Sequence, residues 1–453
     1  MATYAETLAQ FACDLRLEDV PTDVVDDVKL RLIDTLGVCL LTSRMEYAEI
    51  AAQVARELTG TGACTVVGRG NGWNAAGAAF VNGALAHGVD FDDVHGPSIM
   101  HASSLVIPAC LAGAEQYRVS GKELIVAMTV CYEALIRMGL AAPQQFHARG
   151  IQATGMCGAF AAALAVGRMA GLEAGQLAEA VGQCGTFLTG LRACADDGTW
   201  SKRLFPGWGA LGGIAAVALA KRGFSAPRAV LEDRWGLYNA FIGVDKCDLS
   251  QLSNGLGRVW ETPRISYKPY PTSGRLQSMI ECALILRRTY GIKPEDIEEI
   301  EIMVGDETMR RWFQPMKFTP PTDYAARFSG PYVVAAALAE GKVGMSEFTE
   351  EKIHDPRILA LTRRTRCAPV EEVYPLHRPG WIRVRMRDGK VHEHTEPYEP
   401  GSPDNPLSRD QVEKKFFANA GSVLPRKRAE EIREVALRLE SLPHVRELTA
   451  LVA

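Results

Sequence analysis

Apolar positions in the first 260 residues recur at helical spacing. Val25, Val28, Leu32 and Leu36 form one stripe, with Asp26, Asp27, Lys29 and Arg31 between them, the period of an amphipathic helix. Lys122 to Met138 and Ala174 to Leu191 read the same way. Small residues crowd 158–171 and 207–223. Short side chains let helix backbones approach closely, so both runs are expected to be central helices of a bundle.

The period changes after about residue 264. IEEIEIMVGDET (297–308) alternates apolar and acidic residues, the pattern of a half-buried strand. WIRVRMRDGKVHEH (381–394) alternates around Asp388-Gly389, a pair that favours a tight hairpin turn. Helices are expected between, near Gln277–Tyr290, Pro331–Glu340 and Ser346–Lys352. Helical character returns at the end, where Ser408 with Gln411 three residues on carries a capping-box signature. The last 45 residues are too few for their own core, so they are expected to pack onto the N-terminal helices. The pattern predicts a mainly α fold. Residues 1–264 and 403–453 would form a helical domain, and 265–402 a smaller α+β lid domain.

Composition narrows the class. At 453 residues the chain exceeds one ordinary domain. It is 47% hydrophobic and 23% charged, with net charge −4, which offers no general attraction to nucleic acid or anionic membrane. Eleven widely spaced cysteines without a CxxC fit a reduced cytoplasmic protein better than a disulfide framework or zinc site. MATYAETLAQFACDLRLEDV lacks a basic start and apolar core, so no signal peptide is expected. The weakly charged runs 97–114, 151–167 and 204–220 are rich in Ala and Gly and at most of span length; they are expected to be buried helices.

Candidate chemistry concentrates in four segments. The densest is NGALAHGVDFDDVHGPSIMHASS (82–104), which holds His87, Asp90, Asp92, Asp93, His95 and His101. Three acids beside three histidines suit a divalent metal, a metal-free acid/base site, or a solvated loop with a helix cap; no HExxH spacing decides among them. FHARGIQATGMCGAF (146–160) sets His147 and Arg149 before a helix start, where backbone N–H groups favour a carboxylate. DDGTWSKRLFPGWGA (196–210) carries Lys202, and RISYKPYPTSGRLQS (264–278) carries Lys268 and Arg275 at the expected domain boundary. Lysines at such a junction bind an acid, or serve as bases if desolvation lowers their proton affinity. ARFSGPYVV (326–334) adds Tyr332, a phenol acid or a core aromatic. GRGNG (68–72) lacks the full dinucleotide fingerprint and reads as a turn.

Taken together, the segments resemble the MmgE/PrpD family. NGALAHGVDFDD with His101-x-Ser, RGxxxTGMCGAF, WSKRLxPGW, KPYP, RFSGPY and GSPDNPLS follow family order across nearly the whole chain. The resemblance implies a homodimer with a helical domain, a lid, and enzymes that use no metal or organic cofactor: 2-methylcitrate dehydratase, cis-aconitate decarboxylase and iminodisuccinate epimerase. By position it implies active-site roles for Asp90, His101, Lys202, Lys268 and Tyr332. The chain departs from the pattern at four places. Gln152 and Phe205 stand where histidines are usual, Val94 where threonine is, and Gln277 where many members have histidine. Glutamine donates a hydrogen bond but exchanges no proton at neutral pH.

The expectation is therefore a cofactor-independent lyase that moves a proton next to a carboxylate on a small di- or tricarboxylic acid. Dehydration of a 2-methylcitrate-type acid stands first, epimerisation second and decarboxylation third. His101 would transfer the proton, oriented by Asp90, with Tyr332 as helper acid; Lys268, Lys202, Gln152, Arg275 and Arg149 would hold the substrate. A metal-dependent hydrolase and a non-catalytic carboxylate-binding protein are the rival classes.

Overall fold

A computed structural model describes residues 2–194, 198–305, 311–369 and 379–453. Asp196 and Asp197, which open the third segment, and Asp306 to Thr308, which close the first alternating run, lie outside them.

Helices dominate. The first are α1 (Tyr4–Asp14), α2 (Thr22–Thr42), α3 (Glu46–Thr59), α4 (Ala75–His87), α5 (Ser103–Tyr117) and α6 (Gly121–Leu140). One turn, α7 (Gln145–Ala148), precedes α8 (Ala153–Met169), α9 (Ala174–Gln183) and α10 (Phe205–Ala220). The turn expected at 68–72 falls on residues 67–69 and joins β1 (Thr61–Val66) to β2 (Gly70–Trp73), which takes up the rest of that segment. The three weakly charged runs all contribute buried helix. Trp200–Ala220 is long and apolar enough to cross a membrane, yet most of it is buried in this fold.

Close approach explains the small residues. A Cβ on Gly83 of α4 would sit 2.4 Å from the Gly207 Cα of α10, far inside contact distance. The helix expected over 174–191 stops at Gln183, and a 3-10 turn over Cys184–Thr186 follows. Gly185, Thr186 and Gly190 supply poor helix formers there.

The second layer is a four-stranded sheet ordered β4-β3-β5-β6, built from β3 (Ile297–Val304), β4 (Thr365–Pro369), β5 (Gly380–Met386) and β6 (Val391–Glu396). β3 runs parallel to β4 and antiparallel to β5, with Ile300 opposite Val384 and Ile302 opposite Ile382. Those apolar residues join α11 (Gln277–Tyr290) and α12 (Gly330–Glu340) in a separate core. Asp388 and Gly389 turn β5 into β6, with Gly389 at φ +85°. The helix expected over 346–352 is two short pieces, Met345–Phe348 and Glu350–Ile353, split where Thr349 caps the second.

α13 (Arg409–Ala420) begins with the capping box of Ser408 and Gln411. Phe416 of α13 and Ile432 of α14 (Arg426–Leu437) enter the same core as Leu32 and Leu36 of α2.

Candidate active site

The loop between α4 and α5 is fixed by three neighbouring acids with three different jobs. Asp93 accepts from Arg31 of α2 at 2.8 Å, from the Ser103 backbone N–H at 2.9 Å and from the Ser103 hydroxyl. It clamps α2 to the start of α5. Asp92 Oδ2 accepts from His87 Nδ1 at 2.8 Å and His101 Nδ1 at 3.2 Å. Asp90 pairs with Lys202, and Lys268 Nζ lies 3.5 Å from its Oδ1 and 3.0 Å from its carbonyl oxygen.

Sequence-distant segments reach this loop through backbone pairing. Val94 and Ser266 exchange hydrogen bonds at 3.0 and 2.9 Å, which places Lys268 behind Asp90. The Tyr267 N–H donates to the Gly401 carbonyl at 2.9 Å. A Cβ on Gly401, at φ +91°, would lie 2.2 Å from the Tyr267 oxygen, so only glycine fits. His101 is held by its own N–H, which donates to Thr154 Oγ1 of α8 at 2.8 Å.

Asp90, His101 and Lys202 border a cavity of about 290 Å³ between the helical layer and the lid. Asp90, His101, His147, Gln152 and Lys202 line it from the helical side. Arg275, Arg311, Trp312, Lys317, Tyr324 and Phe328 line it from the lid. With Arg192, the described lining carries five cationic side chains against the single carboxylate of Asp90, an electrostatic match for an anion. Backbone strain gathers here too. Asp90 and Ile99 (both φ +54°) and Gln144 (φ +62°) line the cavity, and among the described residues only Arg118 otherwise has a positive φ without being glycine. A β-branched residue in that region costs energy that the surrounding structure must offset.

Electrostatics assign the protonation states. Burial pushes His101 down to about 3; Asp92 opposes this, while Lys202 and Lys268 reinforce it. Burial works against charge on Asp92, but His87, His101 and Lys268 hold its carboxyl well below the usual range. Burial likewise opposes charge on Asp90, and Lys202 and Lys268 outweigh it. An ionised Asp92 only accepts, so a neutral His101 donates Nδ1–H and keeps its lone pair on Nε2. That is the state of a base.

Several expectations need correction. Asp92, not Asp90, orients His101, because Asp90 is occupied by two ammonium groups. Lys202 cannot act as a neutral base: burial lowers its proton affinity, but Asp90 more than reverses this and raises it. Lys268 is 1% exposed and lies behind Asp90, outside the cavity lining. Tyr332 is buried in the lid core, where its hydroxyl donates to the Glu347 carbonyl. Arg149 is exposed, reaches the Ile242 carbonyl and does not line the cavity. The phenol that does line it is Tyr324, 1% exposed, whose hydroxyl has no hydrogen-bond partner among the described residues. Burial raises that phenol to about 12, so it remains protonated and able to donate. Tyr324 sits three residues before RFSGPY, and nothing in its spacing marked it.

Gln152, Val94 and Phe205 do line the cavity. Gln277 does not; it accepts from the Tyr270 N–H at 3.2 Å and donates to the Tyr270 carbonyl at 3.0 Å, locking the loop that carries Arg275.

The metal reading can be tested on donor chemistry. His87, Asp90, Asp92 and His101 offer ligand atoms within 4.8 Å of one another. A dication there would displace both imidazole hydrogen bonds to Asp92 and face the ammonium groups of Lys202 and Lys268. The set suits an ion-pair network better than a metal centre.

Comparison with known proteins covers the whole chain. The model of the MmgE/PrpD N-terminal domain matches residues 6–250, and that of the C-terminal domain residues 270–441. A cis-aconitate decarboxylase-like protein oryM of Aspergillus oryzae is 26% identical, over 98% of this chain and 96% of its own. The cis-aconitate decarboxylase of Aspergillus terreus is also 26% identical, over 98% and 95%. A mitochondrial 2-methylcitrate dehydratase of Yarrowia lipolytica is 24% identical, over 86% and 78%. With both domain models matched in order along a helical body and its lid, this chain belongs to the MmgE/PrpD family.

Proposed function

We propose that the chain is a lyase acting on a small di- or tricarboxylic acid, with His101 moving a proton at the carbon next to a carboxylate. One observation carries the reading: the His101 imidazole, hydrogen-bonded through Nδ1 to Asp92 at 3.2 Å, lines a cavity whose described lining carries five cationic side chains. Lys202, Arg275 and Arg192 bind the carboxylates. Negative charge that develops on the substrate as the C–H bond breaks is stabilised by those cations and by hydrogen bonds from Gln152 and Tyr324. His101 Nε2 takes the proton, and its Nδ1–H bond to Asp92 strengthens as the ring becomes charged.

Dehydration of a 2-methylcitrate-type hydroxy acid is the first reading, because the site offers a base together with protonated donors for a leaving hydroxyl. Decarboxylation of a cis-aconitate-type acid is the second, favoured by the names of the relatives that match along nearly the whole chain. Incubation with citrate, 2-methylcitrate, cis-aconitate and iminodisuccinate in deuterated water, read by NMR, separates them. Loss of water from a hydroxy acid supports the first reading, and loss of carbon dioxide supports the second. Inversion at iminodisuccinate without bond cleavage would replace the lyase by an epimerase. No change and no deuterium uptake in any acid would sink the proposal.

A further inference from the structure

We propose that His147 is a second proton-transfer group, working with His101 on the same substrate; this rests on the lyase reading above. Its placement is specific. Gln144, in the left-handed region, starts the single turn α7. Phe146 anchors that turn in the core beside Tyr238, with ring centroids 6.1 Å apart. Arg192 donates to the His147 carbonyl at 3.1 Å. The imidazole is thereby held at the cavity wall.

A structural histidine bonds its ring nitrogens to the protein. His147 Nδ1 is buried with no hydrogen-bond partner among the described residues. Gln152 supplies a second such atom on the same wall. Its Oε1 accepts from the Gly155 N–H at 2.7 Å, which fixes the amide, and its Nε2 is left without a partner. Gln152 is 2% exposed. Both residues line one cavity, and each carries a buried polar atom that no described residue satisfies, the mark of a group kept for a ligand. The amide supplies a donor, and only the imidazole can supply a proton.

The charges around His147 set how it works. Burial lowers its proton affinity most, and the charges of Arg192, Arg275 and Lys202 lower it further. A bound polycarboxylate neutralises those cations, so the imidazole gains a proton as substrate enters. His101 Nε2 then takes the proton from the carbon next to the carboxylate. The C–H pair first rests on the carboxylate as an enediolate, from which the carbon can regain a proton or deuteron; it then closes the C=C bond as the neighbouring C–O bond breaks, its pair staying on oxygen. His147 gives that oxygen its proton, and water leaves. His101 returns its proton to solvent, and His147 is recharged with the next substrate.

The test uses the whole chain with ¹⁵N-labelled histidine and propane-1,2,3-tricarboxylate, which has no hydroxyl to lose. The His147 resonances, assigned by their disappearance in His147→Gln and in His147→Asn, should change from the neutral to the imidazolium pattern when the acid binds at pH 7. With a hydroxy acid that the wild type dehydrates, His147→Gln should keep deuterium exchange at carbon and lose dehydration by about 100-fold or more. A ring that stays neutral with the acid bound would overturn the proposal. So would exchange and dehydration falling by the same factor, the mark of a binding role. Wild-type protein that turns over no acid would instead sink the lyase reading, and the tricarboxylate titration would still decide whether His147 takes up a proton.

Discussion

His101 Nδ1 lies 3.2 Å from Asp92 Oδ2, while Asp90, two residues earlier, is held by Lys202 and Lys268. That one relationship divides the acidic loop into an orienting carboxylate and a charge-balancing one. Asp92→Asn should lower kcat by about 10²- to 10⁴-fold, because an amide can select the wrong tautomer. Asp90→Asn leaves Asp92 on His101, so its effect on kcat should be at least about tenfold smaller. Steady-state kinetics of the two variants with the same acid check this, and equal losses would contradict it.

The two tyrosines make a second contrast. Tyr324→Phe removes a hydroxyl at the cavity wall and should slow turnover by about 100-fold. Tyr332→Phe removes only a bond to the Glu347 carbonyl inside the lid, at a cost of about 1 kcal/mol in stability. Turnover near the wild-type rate is expected for it once melting is allowed for. The opposite ranking would restore Tyr332 as the helper acid.

Much of this was legible in the sequence, and the misses have physical causes. The stripe Val25, Val28, Leu32 and Leu36 is a property of one helix, and the Asp388-Gly389 turn of one hairpin, so local pattern sufficed for both. Which of Asp90, Asp92 and Asp93 faces which partner depends on a loop with Asp90 at φ +54°, and no periodicity governs that. Tyr332 matches a motif, but which way its ring points on α12 is decided by packing against Phe348 and the strands. The segment 264–278 marks Lys268 as a candidate; that it stands behind Asp90 follows from the Val94–Ser266 pairing, a contact between residues 172 apart.

Asp93 serves stability rather than chemistry. Replacing it with alanine removes one of Arg31's partners and orphans the Ser103 N–H, while Asp27 and the Ile265 carbonyl still hold Arg31, and should cost about 1–3 kcal/mol. Arg31→Met combined with Asp93→Leu should recover part of that loss. Chemical denaturation measures both; additive losses in the double variant would contradict the clamp.

Stability should also depend on pH through Glu133. Its Oε1 accepts from the N–H groups of Glu261 and Thr262 and from the Thr262 hydroxyl, and burial raises the carboxyl to about 7. The folded chain keeps a proton there that the unfolded chain, with an ordinary value near 4.5, releases. That contribution is complete below pH 4.5 and is lost as pH rises through 7. Glu133→Gln keeps the acceptor and cannot titrate, so its melting temperature should gain on the wild type between pH 5 and 8. A constant difference would show that Glu133 is not protonated in the fold.

Solvent-deuterium incorporation by wild type and His101→Gln, measured by NMR on the acid that the wild type processes, tests the central claim most directly. The wild type should label the carbon next to the carboxylate, and the variant, with an unchanged melting temperature, should label it at least about 10³-fold more slowly. A variant that exchanges at the wild-type rate would remove His101 from the chemistry.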